Sequence, residues 1–544
     1  MTEPAVTVVV AVYNTMPALT TCLDSLVRQS IGLDRMEIIA VDDGSTDGSG
    51  KELDRYAERY PDAFKVVHQE NSGGPARPNN VALDRATGRY VFFVGADDYL
   101  GPEALERMVA HGDRNTSDVV LGKMVAIGDR SIPRAVFRST EDNIPLIGSG
   151  ALYAISNTKM YRRATIEKHG IRYAEDLPVS CDMPFTLEMY VRAATISVVA
   201  DYDCYYAVRR DDDSNITYRA AFENRLKVCA RALDRLAELG ASADLYEAFA
   251  IRLLKVDVAW IFGANYLALS RERRAECVRA TARFLRKYYG DGAFERVQHR
   301  LTVPERLRFY WVFAGRPDEL AELVRIDGLG GFPVTLLRDG HAYALYPGFQ
   351  DPSHGIPDRG YELLGSIVDR LGPGTELLSA TWFQEESERV DLDIAVRVPV
   401  VGDTGSVAVQ LLKGALPRST DKTGARRLGG KEKRPQPVGE FSREEAPDGR
   451  STIVRARIPL TRRKAELGVR VCLEAGGRSY EVPVRAGEHP MPLARAWGMN
   501  DTYRLAARVN QAGRVVIATG PLYPAKRPLG SRLRTLVTGF KRKK

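Results

Sequence analysis

From residue 5 to about 215 the chain alternates short apolar runs with helix-period segments, and several of the runs end in a polar cluster. Val6 to Val12 is almost continuously apolar and leads into Tyr13-Asn14. A run of that kind predicts a strand covered on both faces. Leu19, Cys22, Leu23, Leu26 and Val27 follow at the spacing of an amphipathic helix, with Pro17 suited to its first turn. Glu37 to Val41, Phe64 to Val67 and Tyr90 to Val94 predict three more strands. Leu53, Tyr56 and Ala57 mark a second helix, and a polar helix begins near Pro75. Alternating β and α units imply a mostly parallel sheet. Ligands bind such sheets outside the carboxyl ends of their strands.

The 544 residues suggest several domains. The α/β pattern fills residues 1–218. Residues 219–330 read as helical: Phe222, Leu226, Cys229, Leu233 and Leu236 step by four and three, and further helices are expected over 244–268, 271–288 and 304–326. This linker would border the acceptor side, although its arginines, from Arg271 to Arg286, also suit a plain solvated face. Residues 331–524 change to a period of two. Leu392, Ile394, Val396 and Val398 alternate with polar residues, as do Val454, Ala456 and Ile458, and Val469, Val471 and Leu473. That predicts a β-sandwich-like domain, interrupted by a mobile insertion over 414–450 rich in Gly, Pro, Lys and Arg. Trp382 and Trp497 suit either a β core or sugar stacking.

The formal charge is +8, and the acid-free tail 525–544 accounts for all of it. A body balanced near zero argues against nucleic acid as a partner. Leu529, Leu533, Leu536, Val537 and Phe540 give the tail helical spacing. It suits the inner surface of an anionic membrane, or equally a solubilising terminus. No apolar run is long enough to span a bilayer, and Met1-Thr2-Glu3-Pro4 lacks the features of a signal peptide. The six cysteines form no C-x-x-C pair. Together these predict a cytoplasmic protein with reduced thiols, peripheral at the membrane face if the tail binds there.

Four polar clusters could carry chemistry. In Asp42-Asp43-Gly44-Ser45-Thr46-Asp47 a carboxylate at a strand end can accept a uracil N3–H or ribose hydroxyls; the same run also reads as a turn and cap, with Asp47 near the N-cap. Asn71-Ser72-Gly73-Gly74-Pro75 allows close backbone approach to a ligand, and Arg77 could meet a phosphate. Gly95-Ala96-Asp97-Asp98 puts adjacent carboxylates after a buried strand, where they repel unless a cation intervenes; a hard divalent ion bridging to a diphosphate suits them. The alternative is a helix cap before Pro102. Asp182, ahead of the apolar Phe185, Leu187 and Met189, could deprotonate an acceptor hydroxyl or merely cap a helix. Glu175 and Asp176 compete for that role.

These pieces, in this order, resemble the inverting glycosyltransferases of family 2, which have the GT-A fold. The resemblance rests on V-T-V-V-V-A-V-Y-N, V-D-D-G-S-T-D, N-S-G-G-P-A-R-P-N-N-V-A-L, G-R-Y-V-F-F-V-G-A-D-D-Y-L and E-D-L-P-V-S-C-D-M-P-F. Leu152 to Arg162, L-Y-A-I-S-N-T-K-M-Y-R, is most similar to the poly(ribitol-phosphate) N-acetylglucosaminyltransferases that decorate wall teichoic acid. The resemblance implies a UDP-sugar donor, Mg²⁺ or Mn²⁺, and a polymeric or lipid-linked acceptor, with homo-oligomers an option. It implies that Asp43 binds uracil or ribose beside the backbone of Ala11 and Tyr13. Asn71, Gly74, Arg77 and Asn79 would lie along the donor. Asp97 would hold the metal, Asp98 would sit near the donor sugar, and Asp182 would be the base. Glu175, Arg209 and Arg210 would border the acceptor.

This chain departs from the family pattern at Ala11, Asn79, Gly95 and Cys181, where the family usually has Pro, Arg, Asp and Glu. Arg252 and Lys255 are followed by an apolar run through Phe262, which weakens the case for a ribitol-phosphate acceptor. Two other readings stay open. One is a catalytically degenerate nucleotide- or glycan-binding protein, motivated by Gly95 and Cys181. The other is a nucleotidyltransferase, which would need a Gly-rich basic loop where this chain has Val12-Tyr13-Asn14-Thr15-Met16.

Overall fold

The computed structural model describes residues 3–209, 221–290, 292–329, 334–364, 367–386, 389–413, 425–427, 440–460, 465–488, 490–497 and 503–521. Arg210 and the tail 525–544 fall outside them. The chain divides into two compact units, Met1–Val297 and Gln298–Lys544. The helical stretch expected over 219–330 is therefore shared between the units.

The first unit is built on an eight-stranded sheet of order β3-β2-β1-β4-β7-β6-β8-β5. Its strands are β1 (Val6–Val12), β2 (Met36–Asp42), β3 (Phe64–His68), β4 (Tyr90–Gly95), β5 (Tyr99–Leu100), β6 (Val119–Ile127), β7 (Met160–Arg162) and β8 (Ile196–Val208). The four strands expected from the apolar runs form one parallel block, β3-β2-β1-β4. Beyond β4 the sheet is mixed: β7 runs antiparallel to β4 and β6, and β6 pairs parallel with β8. Helices α1 (Ala18–Val27), α2 (Ser49–Arg59), α3 (Ala76–Leu83), α4 (Ala104–Asn115), α5 (Arg163–His169) and α6 (Asp182–Arg192) connect the strands.

Both faces of the sheet are covered, which is why β1 and β2 lack a polar face. Val6, Val8, Val10 and Val12 share a core with Leu19, Leu23 and Leu26 of α1, Leu53 of α2 and Met108 of α4. On the other face Phe93 meets Tyr161, Tyr173 and Phe185 edge-on, with ring centres 5.4–5.9 Å apart. This second cluster ties β4 to β7 and α6. It fixes where α6 begins relative to the carboxyl edge of the sheet.

After β8 come α7 (Phe222–Glu238), α8 (Ala243–Leu253) and α9 (Arg271–Tyr289). The stepped residues of α7, Phe222, Leu226, Cys229, Leu233 and Leu236, are all buried. The helix expected over 244–268 is not continuous: a π turn at Leu254–Val258 and short helices Ala259–Ile261 and Ala264–Leu267 follow α8. On α9 Arg273 pairs with Glu223 and Glu276, and Arg274 donates to the Leu267 carbonyl.

In the second unit α10 (Val303–Ala314) and α11 (Pro317–Gly328) replace the single helix expected over 304–326. Gly315, at φ 68°, ends the first and Pro317 opens the second, the Gly-stop and Pro-start asymmetry of helix ends. The β region forms sheets of three, four and seven strands. The alternating residues lie buried on strands Arg389–Val398, Thr452–Pro459 and Ala465–Ala475. The expected insertion contains described strands. Glu440–Glu445 is a strand paired with Thr452–Pro459, and its charged, exposed sequence hides it from a hydrophobic pattern. The Trp382 indole donates to the Leu493 carbonyl at 2.8 Å; the Trp497 side chain lies outside the described residues. All six cysteines are buried free thiols. Among the described residues no helix is long and apolar enough to cross a membrane.

Candidate active site

The strand register brings three of the four clusters to one edge. Ala11 lies opposite Val41 on one side and Gly95 on the other, and Val12 opposite Asp42. The chain leaves β1 between its two parallel neighbours, β2 and β4, and such a point opens a crevice at the carboxyl ends of the strands. Exposed Tyr13 lies at this rim.

The D-D-G-S-T-D run builds the turn that lines one side. Asp42 accepts from the Ser45 N–H and is bonded to His68 Nδ1, each at 3.0 Å. Asp47 accepts from the Met16 N–H at 2.8 Å and from the N–H and hydroxyl of Ser49. It therefore braces the start of α2, although the cap position itself is Gly48. Asp43 is only 3% exposed. Its carboxylate accepts from Gln69 Nε2 at 2.6 Å and from the Ser72 N–H and hydroxyl at 3.0–3.1 Å. The residue expected at the nucleobase thus also holds the 69–72 segment against the sheet edge.

That segment continues into the Gly-Gly turn. Asn71 Oδ1 accepts from the Gly73 N–H at 2.8 Å. Gly74 lies against the backbone of Pro178: a Cβ there would sit 2.7 Å from the Pro178 carbonyl oxygen and 3.1 Å from its Cα. Only glycine permits that approach. On α3, Arg77 is exposed and Asn79 is 5% exposed. The next residue, Asn80, joins α3 to the loop that leads into Asp182. Its Nδ2 donates to the Tyr173 carbonyl and to Glu175, and its Oδ1 accepts from the Tyr173 N–H, all at 2.9–3.0 Å.

After β4, Asp97 is partly exposed, whereas Asp98 turns inward at 6% exposure. Asp98 accepts from the Tyr205 hydroxyl at 2.6 Å and the Val208 N–H at 2.7 Å, and the Tyr205 hydroxyl accepts from the Gly95 N–H. Burial, and then the neighbouring Asp97 charge, push the Asp98 carboxyl up to about 6. A Cβ on residue 95 would lie 2.8 Å from Asp98 Oδ2 and 3.1 Å from Asp97 Oδ1. Gly95 therefore leaves room for both carboxylates to draw together. Two close carboxylates fit a divalent cation, whose charge would relieve their repulsion. Among the described residues no group of three or more His, Cys, Asp or Glu could hold a metal.

Asp182 occupies the first turn of α6, after Ser180 at φ 50°. Burial raises its carboxyl, opposed by the charge of Lys159 and by backbone N–H groups of Asn157, Asp182 and Met183. The competing acids are otherwise engaged. Asp176 pairs with Lys227 and Arg231 at 3.0 Å, and the Lys227 bond first of all holds it below the usual carboxylate range. Glu175 accepts from Asn80. Arg209 follows β8, its N–H donating to the Ile127 carbonyl at 3.1 Å. Sequence reasoning does not single out Asn80, Lys159 or Tyr205 as site residues. Asn80 and Lys159 sit within the motif stretches, but only the fold reveals what they touch.

Residues 7–170 match the profile of Glycosyl transferase family 2. The chain is similar to the poly(ribitol-phosphate) beta-glucosyltransferase of Bacillus spizizenii, with 35% identity over 251 residues, or 46% of this chain and 39% of that protein. It is similar to the poly(ribitol-phosphate) beta-N-acetylglucosaminyltransferase TarS of Staphylococcus aureus, with 37% identity over 207 residues, or 38% of this chain and 36% of that one. The chain thus spans well under half the length of these two relatives. The putative glycosyltransferase EpsH of Bacillus subtilis is 30% identical, over 42% of this chain and 67% of its own. The crystal structure of TarS residues 1–349 with UDP-GlcNAc aligns with a TM-score of 0.52 and 26% identity, covering 63% of this chain and 97% of that one. A longer TarS structure aligns over 95% of this chain and 85% of its own, with a TM-score of 0.57 and 21% identity, a likeness of fold.

Proposed function

The chain belongs to glycosyl transferase family 2, and from that premise we propose that it moves N-acetylglucosamine from its UDP donor to a hydroxyl of a teichoic-acid-like polyol-phosphate polymer. The observation that carries this reading is the meeting of two segments. The Gly-Gly turn packs on Pro178 and Asn80 clasps Tyr173, so the turn on the nucleotide side and the loop that leads into Asp182 are held together. A site for group transfer needs that closeness, because donor and acceptor must meet in a fixed geometry.

In this reading Asp43 and the backbone around Ala11 and Tyr13 hold the uridine. Asn71, Gly74, Arg77 and Asn79 flank the diphosphate and sugar. Asp182 takes the proton of the acceptor hydroxyl as its oxygen attacks the anomeric carbon from the face opposite UDP, so the sugar inverts. Asp97, with Asp98 behind it, would hold Mg²⁺ or Mn²⁺. When bound, the ion would offset the negative charge gathering on the leaving diphosphate. Glu175 and Arg209 are assigned to the acceptor side.

A panel of UDP-sugars, with Mn²⁺ and poly(ribitol phosphate) or poly(glycerol phosphate), scored by UDP release, tests the proposal. UDP-GlcNAc should release UDP fastest, and only with a polymer present. A higher rate with UDP-glucose would correct the sugar. UDP binding without turnover of any donor would leave a nucleotide-binding protein.

A further inference from the structure

Lys159 is 2% exposed. Lysines are almost never buried to that degree unless something compensates their charge. Its ammonium donates to the Ser156 carbonyl and lies 5.9 Å from the centre of the Tyr190 ring. Neither contact neutralises a full charge. Thr186 donates to the same Ser156 carbonyl, and Asp182, one turn before Thr186 on that side of α6, carries the charge that acts on the ammonium.

The segment that carries Lys159 is bound to α6 along its length. The Ala154 carbonyl accepts from the Tyr190 hydroxyl at 2.6 Å. The Ser156 carbonyl accepts from the Thr186 hydroxyl at 3.2 Å, which itself meets the Tyr161 hydroxyl at 2.8 Å. Asn157 gives its side-chain amide to the Tyr173 hydroxyl at 3.0 Å. Residues 154–161 thus pack along the Thr186–Tyr190 side of α6, with Lys159 buried among them.

We propose that Lys159 is a positioning residue of the transfer reaction: its buried ammonium keeps the Asp182 carboxylate ionised, ready to take a proton. The proposal rests on the reading of Asp182 as the base. Burial alone raises the Asp182 carboxyl, and the Lys159 charge opposes that rise. Burial in turn pushes Lys159 down to about 7, with Asp182 opposing. The other groups facing Asp182 are Tyr161 of β7, Tyr173 of the preceding loop and Cys181 of its own turn. Burial raises all three, so they are neutral at physiological pH. Glu188, the other acid of α6, is taken by Arg235 at 2.6 Å.

The test compares Lys159→Gln and Lys159→Met in the full chain. Gln keeps a donor for the Ser156 carbonyl but loses the charge; Met loses both. Melting temperature and UDP binding by calorimetry verify that each variant is folded. If the charge matters, the acid limb of the kcat/KM–pH profile moves up by about one unit in Lys159→Gln. Lys159→Met should show the same shift. An acid limb unmoved in a folded Lys159→Gln enzyme overturns the proposal, and Lys159→Gln alone is decisive if Lys159→Met does not fold. Asp182→Asn separates the two levels. If Asp182→Asn is inactive and the limb in Lys159→Gln is unmoved, only the role of Lys159 falls. If Asp182→Asn retains full turnover, the reading of Asp182 itself falls.

Discussion

Gly74 and Pro178 pack backbone to backbone, so closely that a single methyl on Gly74 would stand 2.7 Å from the Pro178 carbonyl oxygen. The contact joins two segments about a hundred residues apart in sequence. It sets the spacing between the turn assigned to the donor and the loop that leads into Asp182.

Gly74→Ala must therefore push these segments apart, since neither partner is a flexible side-chain tip. A displacement near 1 Å at a transfer site costs about 10²-fold in rate. The expected result is a loss of that order in kcat, with the melting temperature nearly unchanged. An alanine variant with wild-type kcat would show that the spacing is not set there.

His68 ties β3 to the D-D-G-S-T-D turn through Asp42 and reaches Asp54 on α2, each at 3.0 Å. The bond to Asp42, then that to Asp54, raises the imidazole pKa. A raised folded pKa means that the protonated form stabilises the fold below the ordinary value of about 6.5, and that this gain is lost as pH rises through the folded value. With the ring 48% exposed, the gain is expected to be below about 1 kcal/mol. His68→Asn should lower the melting temperature at about pH 6 and match the wild type at about pH 8.5. An equal deficit at both pH values would contradict the linkage.

Much of the first unit was legible because burial on both faces leaves a plain mark. Val6–Val12 and Glu37–Val41 read as strands from their apolar runs and lie within β1 and β2, and the stepped residues of α7 gave its buried face. The site was legible only as separate clusters. That Asp43 holds Ser72, or that Asn80 holds Tyr173, depends on how distant segments fold together, and no local pattern encodes that. Lys159 escapes notice because a lysine next to polar Asn157 and Thr158 reads as surface. The break at Gly315-Arg316-Pro317 was readable from turn chemistry, but the apolar period on either side masked it.

Asp97 and Asp98 crowd together at this edge. UDP binding measured by calorimetry should strengthen on adding Mn²⁺ to the wild type. Asp97→Asn should lose about tenfold or more of that gain, while Mn²⁺-free binding stays as it was. An undiminished manganese effect in Asp97→Asn would move the cation elsewhere.

The central proposal is that the acid in the first turn of α6 takes the acceptor's proton. Single-turnover sugar transfer by Asp182→Asn, with UDP binding measured on the same protein, is the most direct test. Binding should stay intact and the transfer rate should fall by about 10²-fold or more, as removal of a general base produces. Transfer at the wild-type rate would contradict it.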